Sequence, residues 1–437
     1  MQITFAFGKA GLELDLPPGP TYMVLQPRSA SPLDDVDQAL ARALDYPIGT
    51  PGLRELANGK TSAAISVCDI TRPAPNSITL PPLLQRLEEG GINREKITIF
   101  IATGLHRPAT EDEVLSIVGP SVASRYNVVN HFAKDLDSHL NIGTTSRGTP
   151  VLIQKGFIEA DLHITLGFIE QHLMAGFSGG RKLIAPGLAA QETIKVLHSP
   201  RFMREPAAVE GSIAGNPLHA DLLEIAALAR HDFMLDVALT KSRQIAGIFA
   251  GNGVQAHAAG VQFLRETLLE MLADPVDAVI TSAAGYPLDL TFYQTIKGVT
   301  AAQHIVRPGG KILVMGQCSE GVGASEFAGK LSSMKNYADY LDDIRDAPVE
   351  VDQWQLEKLA LVGQKYELLF YTPGISAGEA GGLSGQMYPD PSSAINALLE
   401  GLPDGARVAV IPEGPYVFAQ IEKAAKSQGT MYVKSDR

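Results

Sequence analysis

Short, predominantly apolar runs recur along this 437-residue chain. Each ends in a polar turn rich in Gly or Pro, and a stretch of helical spacing commonly follows. A strand that reads as one continuous apolar run is buried on both faces, which happens where helices cover both sides of a parallel sheet. Ala63–Val67, Lys96–Ala102, Leu162–Phe168 and Phe233–Leu239 are such runs. After Asp274-Pro275 the pattern restarts with Ala278–Ser282, Lys311–Met315, Glu367–Tyr371 and Val408–Ile411. This βα alternation predicts an α/β protein with two doubly wound domains and an active site in the cleft between them. The expected division is 1–273 for an N-terminal domain and 274–412 for a smaller C-terminal one. A last helix, over about 413–437, is expected to pack back on the first domain.

The length supports this division, because a single core stops growing well before 437 residues. A net charge of −12 argues against a nucleic-acid partner. Cys68 and Cys318 lie too far apart in sequence to form a disulfide framework, and neither belongs to a CxxC pair. No basic leader is visible, and no apolar run approaches the ~20 residues that span a bilayer. The chain is expected to be cytoplasmic, with no membrane partner.

Polar residues gather at the ends of the strands. Asp69, Thr71 and Arg72 follow Ala63–Val67, and His106 follows Lys96–Ala102. The segment after Leu162–Phe168 carries His172, Ser178, Gly179, Gly180 and Lys182, and a predicted helix over Ala189–Leu197 ends at His198. Open parallel sheets bind ligands at the carboxyl ends of their strands. Three such ends delivering polar groups to one crevice form a stronger signal than any single motif. The run Gly176-Phe-Ser-Gly-Gly-Arg-Lys182 lets backbone N–H groups approach an anion, but it lacks the spacing of a Walker A loop. Its lysine suits either a phosphate contact or a covalent bond to a cofactor. The interval from His172 to His198 matches no local zinc motif. The remaining seven histidines (His131, His139, His163, His219, His231, His257 and His304) are read as structural.

In the second domain Tyr293, Gln294 and Lys297 start a predicted helix, with Gln294 and Lys297 on one face. Trp354 is the only tryptophan and serves either the core or a ligand. The glycine-rich segments there do not follow the dinucleotide fingerprint, so a nicotinamide dehydrogenase is poorly supported.

Taken in order, Asp69-Ile-Thr71-Arg72-Pro73, Ala102-Thr-Gly-Leu-His106-Arg107, Gly167–Gly187, His198, Tyr293-Gln294-x-x-Lys297 and Asp352-Gln-Trp354 resemble the nickel-dependent lactate racemase family. The resemblance covers about positions 60 to 360, and the GFSGGRK segment with its flanking histidines is its specific part. It implies a racemase or epimerase that interconverts the C2 configuration of a lactate-like 2-hydroxy acid. The reaction would pass a hydride to and from a tethered nickel pincer nucleotide, through a 2-keto acid.

By the same resemblance Lys182 carries the cofactor (a pyridinium-3-thioamide-5-thiocarboxylic acid mononucleotide with nickel) and His198 ligates the metal. His106 and His172 form the acid–base pair, while Arg72, Gln294 and Lys297 hold the substrate carboxylate. Asp69, Thr71, Ser178, Gly179, Gly180, Tyr293 and Trp354 lie against the cofactor, and maturation proteins supply it. Two imidazoles on opposite sides of a planar intermediate are what racemisation of a 2-hydroxy acid requires. The alternatives are the same chemistry on a larger aromatic, dicarboxylic or sugar acid, a non-catalytic nucleotide carrier, and a phosphotransferase using the Gly176–Lys182 loop.

Overall fold

The computed structural model describes residues 1–422 and divides them into two compact units. One contains Ser29–Leu197 and Asn216–Thr267; the other contains Met1–Arg28, His198–Gly215 and the chain from Leu268 onward.

The first unit is built on six strands: β1 (Ala63–Cys68), β2 (Ile97–Ala102), β3 (Asn127–Asn130), β4 (Leu162–Phe168), β5 (Phe233–Leu239) and β6 (Ile245–Gly251). They lie in the order β6-β5-β4-β1-β2-β3, and only the β5–β6 pair is antiparallel. Every residue of β1 and β4 is buried, as continuous apolar runs require. Helices α1 (Val36–Asp45) and α2 (Asn76–Glu89) cover the sheet, α1 capped by the Asp35 carboxylate on the Gln38 amide. Leu40, Leu44, Leu80, Leu83, Leu84 and Leu87 pack there against Ile65, Val67, Ile99 and Ile164. The chain leaves β1 toward β2 and β3 on one side, then returns to place β4 on the other. The strand order therefore reverses between β1 and β4, and their C-terminal ends flank a crevice.

Further along this unit come α3 (Gln191–Leu197), α4 (Pro217–Leu228) and α5 (Gln255–Leu268). The second unit repeats the logic with β7 (Val276–Ser282), β8 (Val306–Met315), β9 (Glu367–Tyr371) and β10 (Arg407–Ile411). Its order is β9-β8-β7-β10, with the strand Thr21–Val24 outermost and all pairs parallel. The switch here lies between β7 and β10. Helix α6 (Phe292–Ala302) follows β7, with its amino end held by the Thr291 hydroxyl on the Gln294 amide, and α7 (Gln353–Gly363) packs on it.

The division differs from a single cut at 273/274. Residues 1–28 and 198–215 belong with the C-terminal sheet, because Thr21–Val24 extends it and Phe5, Leu14 and Leu16 fill its core. Over the described part of the helix expected at about 413–437, Gly414–Tyr416 is a 3-10 turn and Phe418–Ile421 is a strand. That strand pairs in parallel with Leu269–Leu272, which follows directly on the end of α5 at Leu268. Residues 423–437 lie outside the described residues.

Candidate functional site

The loop leaving β1 places Asp69, Thr71 and Arg72 at one wall of the first unit's crevice. Asp69 is buried, and its Oδ1 accepts the Thr71 hydroxyl at 2.7 Å. Its Oδ2 lies 2.7 Å from Nδ1 of His106, on the loop leaving β2. Burial alone would raise this carboxyl. Hydrogen bonds from His106 and Thr71, with the charges of His106 and Arg72, bring it below the usual range instead. An ionised carboxylate can only accept, so His106 donates through Nδ1, and whenever the ring is neutral its lone pair is on Nε2. The imidazole itself is half exposed.

The opposite wall is the loop leaving β4. Gln171–His172 and Gly176–Phe177 form a two-rung antiparallel hairpin, and Gly180–Leu183 is a short 3-10 turn. The amides of Met174 and Ala175 point at Nδ1 of His172, at 3.4 and 3.2 Å. The neutral ring therefore carries its proton on Nε2, which lies 3.0 Å from the Nζ of Lys182. An Nε2–H needs an acceptor, and an amine supplies one only in its free-base form. Burial first, then the charges of Arg72 and Arg181, push the Lys182 ammonium down to about 7, with Glu170 opposing them. Arg72 thus acts on both walls, since its charge bears on Asp69 and on Lys182.

Beneath this loop lie three groups that the sequence reading did not select. The guanidinium of Arg181 is 1% exposed and donates to the carbonyls of Ser178, Gly179, Ala175 and Phe177. It also reaches Nε2 of His257, read from the sequence as structural, at 2.6 Å. Asp236, in the middle of β5, accepts the Gly180 amide on Oδ2 at 2.7 Å. Burial raises its carboxyl to about 7. An acid inside the apolar run Phe-Met-Leu-Asp-Val-Ala-Leu was the signal that could have found it.

The second unit holds the remaining candidates. His198 follows α3 directly, and its ring centroid lies 4.5 Å from that of Trp354, at the start of α7. The Tyr293 hydroxyl donates to Asp352 at 3.2 Å, and Gln355 holds the Tyr293 carbonyl at 3.0 Å. His198, Trp354 and Tyr293 are therefore gathered around the facing ends of α6 and α7. Gln294 and Lys297 share the first turns of α6. The Gln294 Oε1 is buried with no hydrogen-bond partner among the described residues. Among the described residues no group of three or more His, Cys, Asp and Glu stands together as a metal cluster. No helix there is long and apolar enough to cross a membrane.

The chain as a whole is similar to known proteins. Residues 7–211 match the model of the lactate racemase N-terminal domain, and residues 271–419 that of the lactate racemase C-terminal domain. The chain is 35% identical over 428 residues to the lactate racemase of Thermoanaerobacterium thermosaccharolyticum, covering 93% of this chain and 99% of that one. It is 34% identical over 380 residues to the lactate racemase of Lactiplantibacillus plantarum, covering 86% and 89%. The solved lactate racemase apoprotein from T. thermosaccharolyticum superposes with a TM-score of 0.87 at 32% identity, over 96% of this chain and all of that one. A Thermotoga maritima protein shares the fold at 17% identity, with a TM-score of 0.60 over 85% of this chain and 96% of that one. With both domains matched in order and the first relative aligned over nearly its whole length, the chain belongs to the lactate racemase family of isomerases.

Proposed function

We propose that the protein inverts C2 of a small 2-hydroxy acid, with lactate as the expected substrate. The contact between Lys182 and His172 at 3.0 Å carries this reading, because it joins a near-neutral amine to an imidazole at a sheet switch point. His106, oriented by Asp69, supplies the second imidazole from the neighbouring strand end. The two relatives named lactate racemase support the substrate class.

The family implies a nickel pincer nucleotide, and the residues present fit one. A covalent tether needs an amine that loses its proton near neutrality, as Lys182 does. An imidazole such as His198 suits nickel. With no cluster of protein ligands among the described residues, the other donors would come from the nucleotide. When bound, the group would supply an acceptor for the hydrogen on C2. Lys182 would hold it covalently and His198 through the metal. Asp69, Thr71, Ser178, Gly179, Gly180, Tyr293 and Trp354 would lie against it.

This chain's own residues then perform the proton work. Arg72 offers a planar fork to the substrate carboxylate; Lys297 offers a point charge, with the buried amide of Gln294 in the same first turns of α6. Nε2 of His106 takes the hydroxyl proton on one face, becoming the imidazolium, and returns it in reverse; Nε2 of His172 does the same on the other face. A carboxylate held at a fixed point lets the planar keto acid turn over between these two steps.

The test is protein co-produced with the cofactor's maturation proteins, assayed for nickel and by intact mass. Chiral chromatography would then follow D- and L-lactate and larger aromatic, dicarboxylic and sugar 2-hydroxy acids. Racemisation of lactate is expected. Turnover only of a larger acid would move the substrate, and a nickel-loaded protein silent on every acid would leave a nucleotide carrier.

A further inference from the structure

Two consecutive residues of the lysine turn go opposite ways. Arg181 points inward and is 1% exposed, while Lys182 sends its amine to His172 at 3.0 Å. The split depends on Gly179 and Gly180, both in the left-handed region with φ of 81° and 45°. Neither has room for a side chain: a Cβ on Gly179 would lie 2.2 Å from Oδ2 of Asp236, and one on Gly180 2.8 Å from the Met234 sulfur. The Gly180 amide is buried and its acceptor is that same Oδ2, at 2.7 Å. The other oxygen, Oδ1, has no hydrogen-bond partner among the described residues.

A buried carboxyl in the middle of the apolar strand β5 is a poor way to fill volume; a leucine would do so without desolvation cost. Its close hydrogen bond, at 2.7 Å, goes to the turn that aims the lysine. We propose that Asp236 is a positioning residue for Lys182: by holding the Gly180 N–H it fixes the glycine pair, and so directs the amine to His172. The proposal takes from the reading above only the task assigned to Lys182. Burial brings the Asp236 carboxyl to about 7, so a neutral acceptor of the same shape should serve nearly as well.

The experiment uses the full chain without cofactor and acetic anhydride as the probe. Acetylation of Lys182 is compared with that of the exposed Lys60 and Lys134 by peptide mapping at neutral pH. In the wild type Lys182 should label ahead of both. Asp236→Asn, which keeps an oxygen for the Gly180 amide, should retain that preference. Asp236→Leu, similar in shape but unable to accept, should lose about tenfold of it, the scale of one orphaned amide.

Preference for Lys182 unchanged in folded Asp236→Leu would overturn the proposal, as would its loss in Asp236→Asn. If Asp236→Leu does not fold, hydrogen exchange over residues 176–183 in Asp236→Asn decides. Protection and labelling that move together support the proposal, and labelling lost with protection intact refutes it. None of these outcomes depends on racemisation, so a silent enzyme with normal Lys182 labelling would count against the proposed function alone.

Discussion

His106 and His172 are wired in opposite senses. A carboxylate behind His106 holds its proton on Nδ1, while two amides behind His172 hold its lone pair there. One ring therefore turns an Nε2 lone pair to the crevice and the other an Nε2–H, and proton exchange on two faces needs a group on each. His106→Ala and His172→Ala should each slow racemisation about 10²–10⁴-fold, the usual worth of a positioned acid or base. Chiral chromatography of lactate checks this, and a near-wild-type rate in either variant would sink the two-base reading. Lys182 gives a second test, in stability. Its amine titrates near 7 when folded and at the ordinary 10.5 when unfolded. Between these values the unfolded chain binds more protons, so this group makes stability rise with pH across that window. Urea unfolding near its two ends should show the rise in wild type and a flatter profile in Lys182→Met.

The turn that carries Lys182 is the element most sensitive to a single added atom. Gly179→Ala combines a disfavoured φ with a Cβ at 2.2 Å from Asp236, and should cost about 2–4 kcal/mol in urea unfolding. Intact mass after co-production with the maturation proteins should then show less tethered cofactor. The sequence made the elements around this turn readable because parallel sheets leave a plain mark. Leu162–Phe168, Phe233–Leu239 and Glu367–Tyr371 begin and end where their apolar runs do. Asn76–Glu89 was not readable: Pro73 and Pro75 precede it and Pro81 and Pro82 lie inside it. Burial of Leu80, Leu83, Leu84 and Leu87 outweighs those breaks. Of the site, the strand-end residues were legible from their position after apolar runs. Asp236 was marked only as an acid inside an apolar run and Arg181 not at all, since their work is to hold backbone groups that only the folded turn brings to them.

At the scale of the molecule, the part the sequence hid is the discontinuous unit. Helical and strand periodicities are local, but Thr21–Val24 pairs with Arg407–Ile411 across nearly the whole chain, and nothing near either strand announces the other. The same holds for Phe5, 0% exposed and packed in one cluster with Ala278, Ile280, Leu313 and Leu369. A division by chain position puts Phe5 in the amino-terminal domain; a division by packing puts it in the sheet of β7 to β10. Phe5→Ala distinguishes the two. Emptying a buried phenylalanine site costs about 3–5 kcal/mol, and the loss should fall on the unit whose core is emptied. Hydrogen exchange should accelerate over Val276–Ser282 and Val306–Met315 while Ala63–Cys68 keeps its protection. Faster exchange in Ala63–Cys68 alone would return the amino-terminal segment to the first unit.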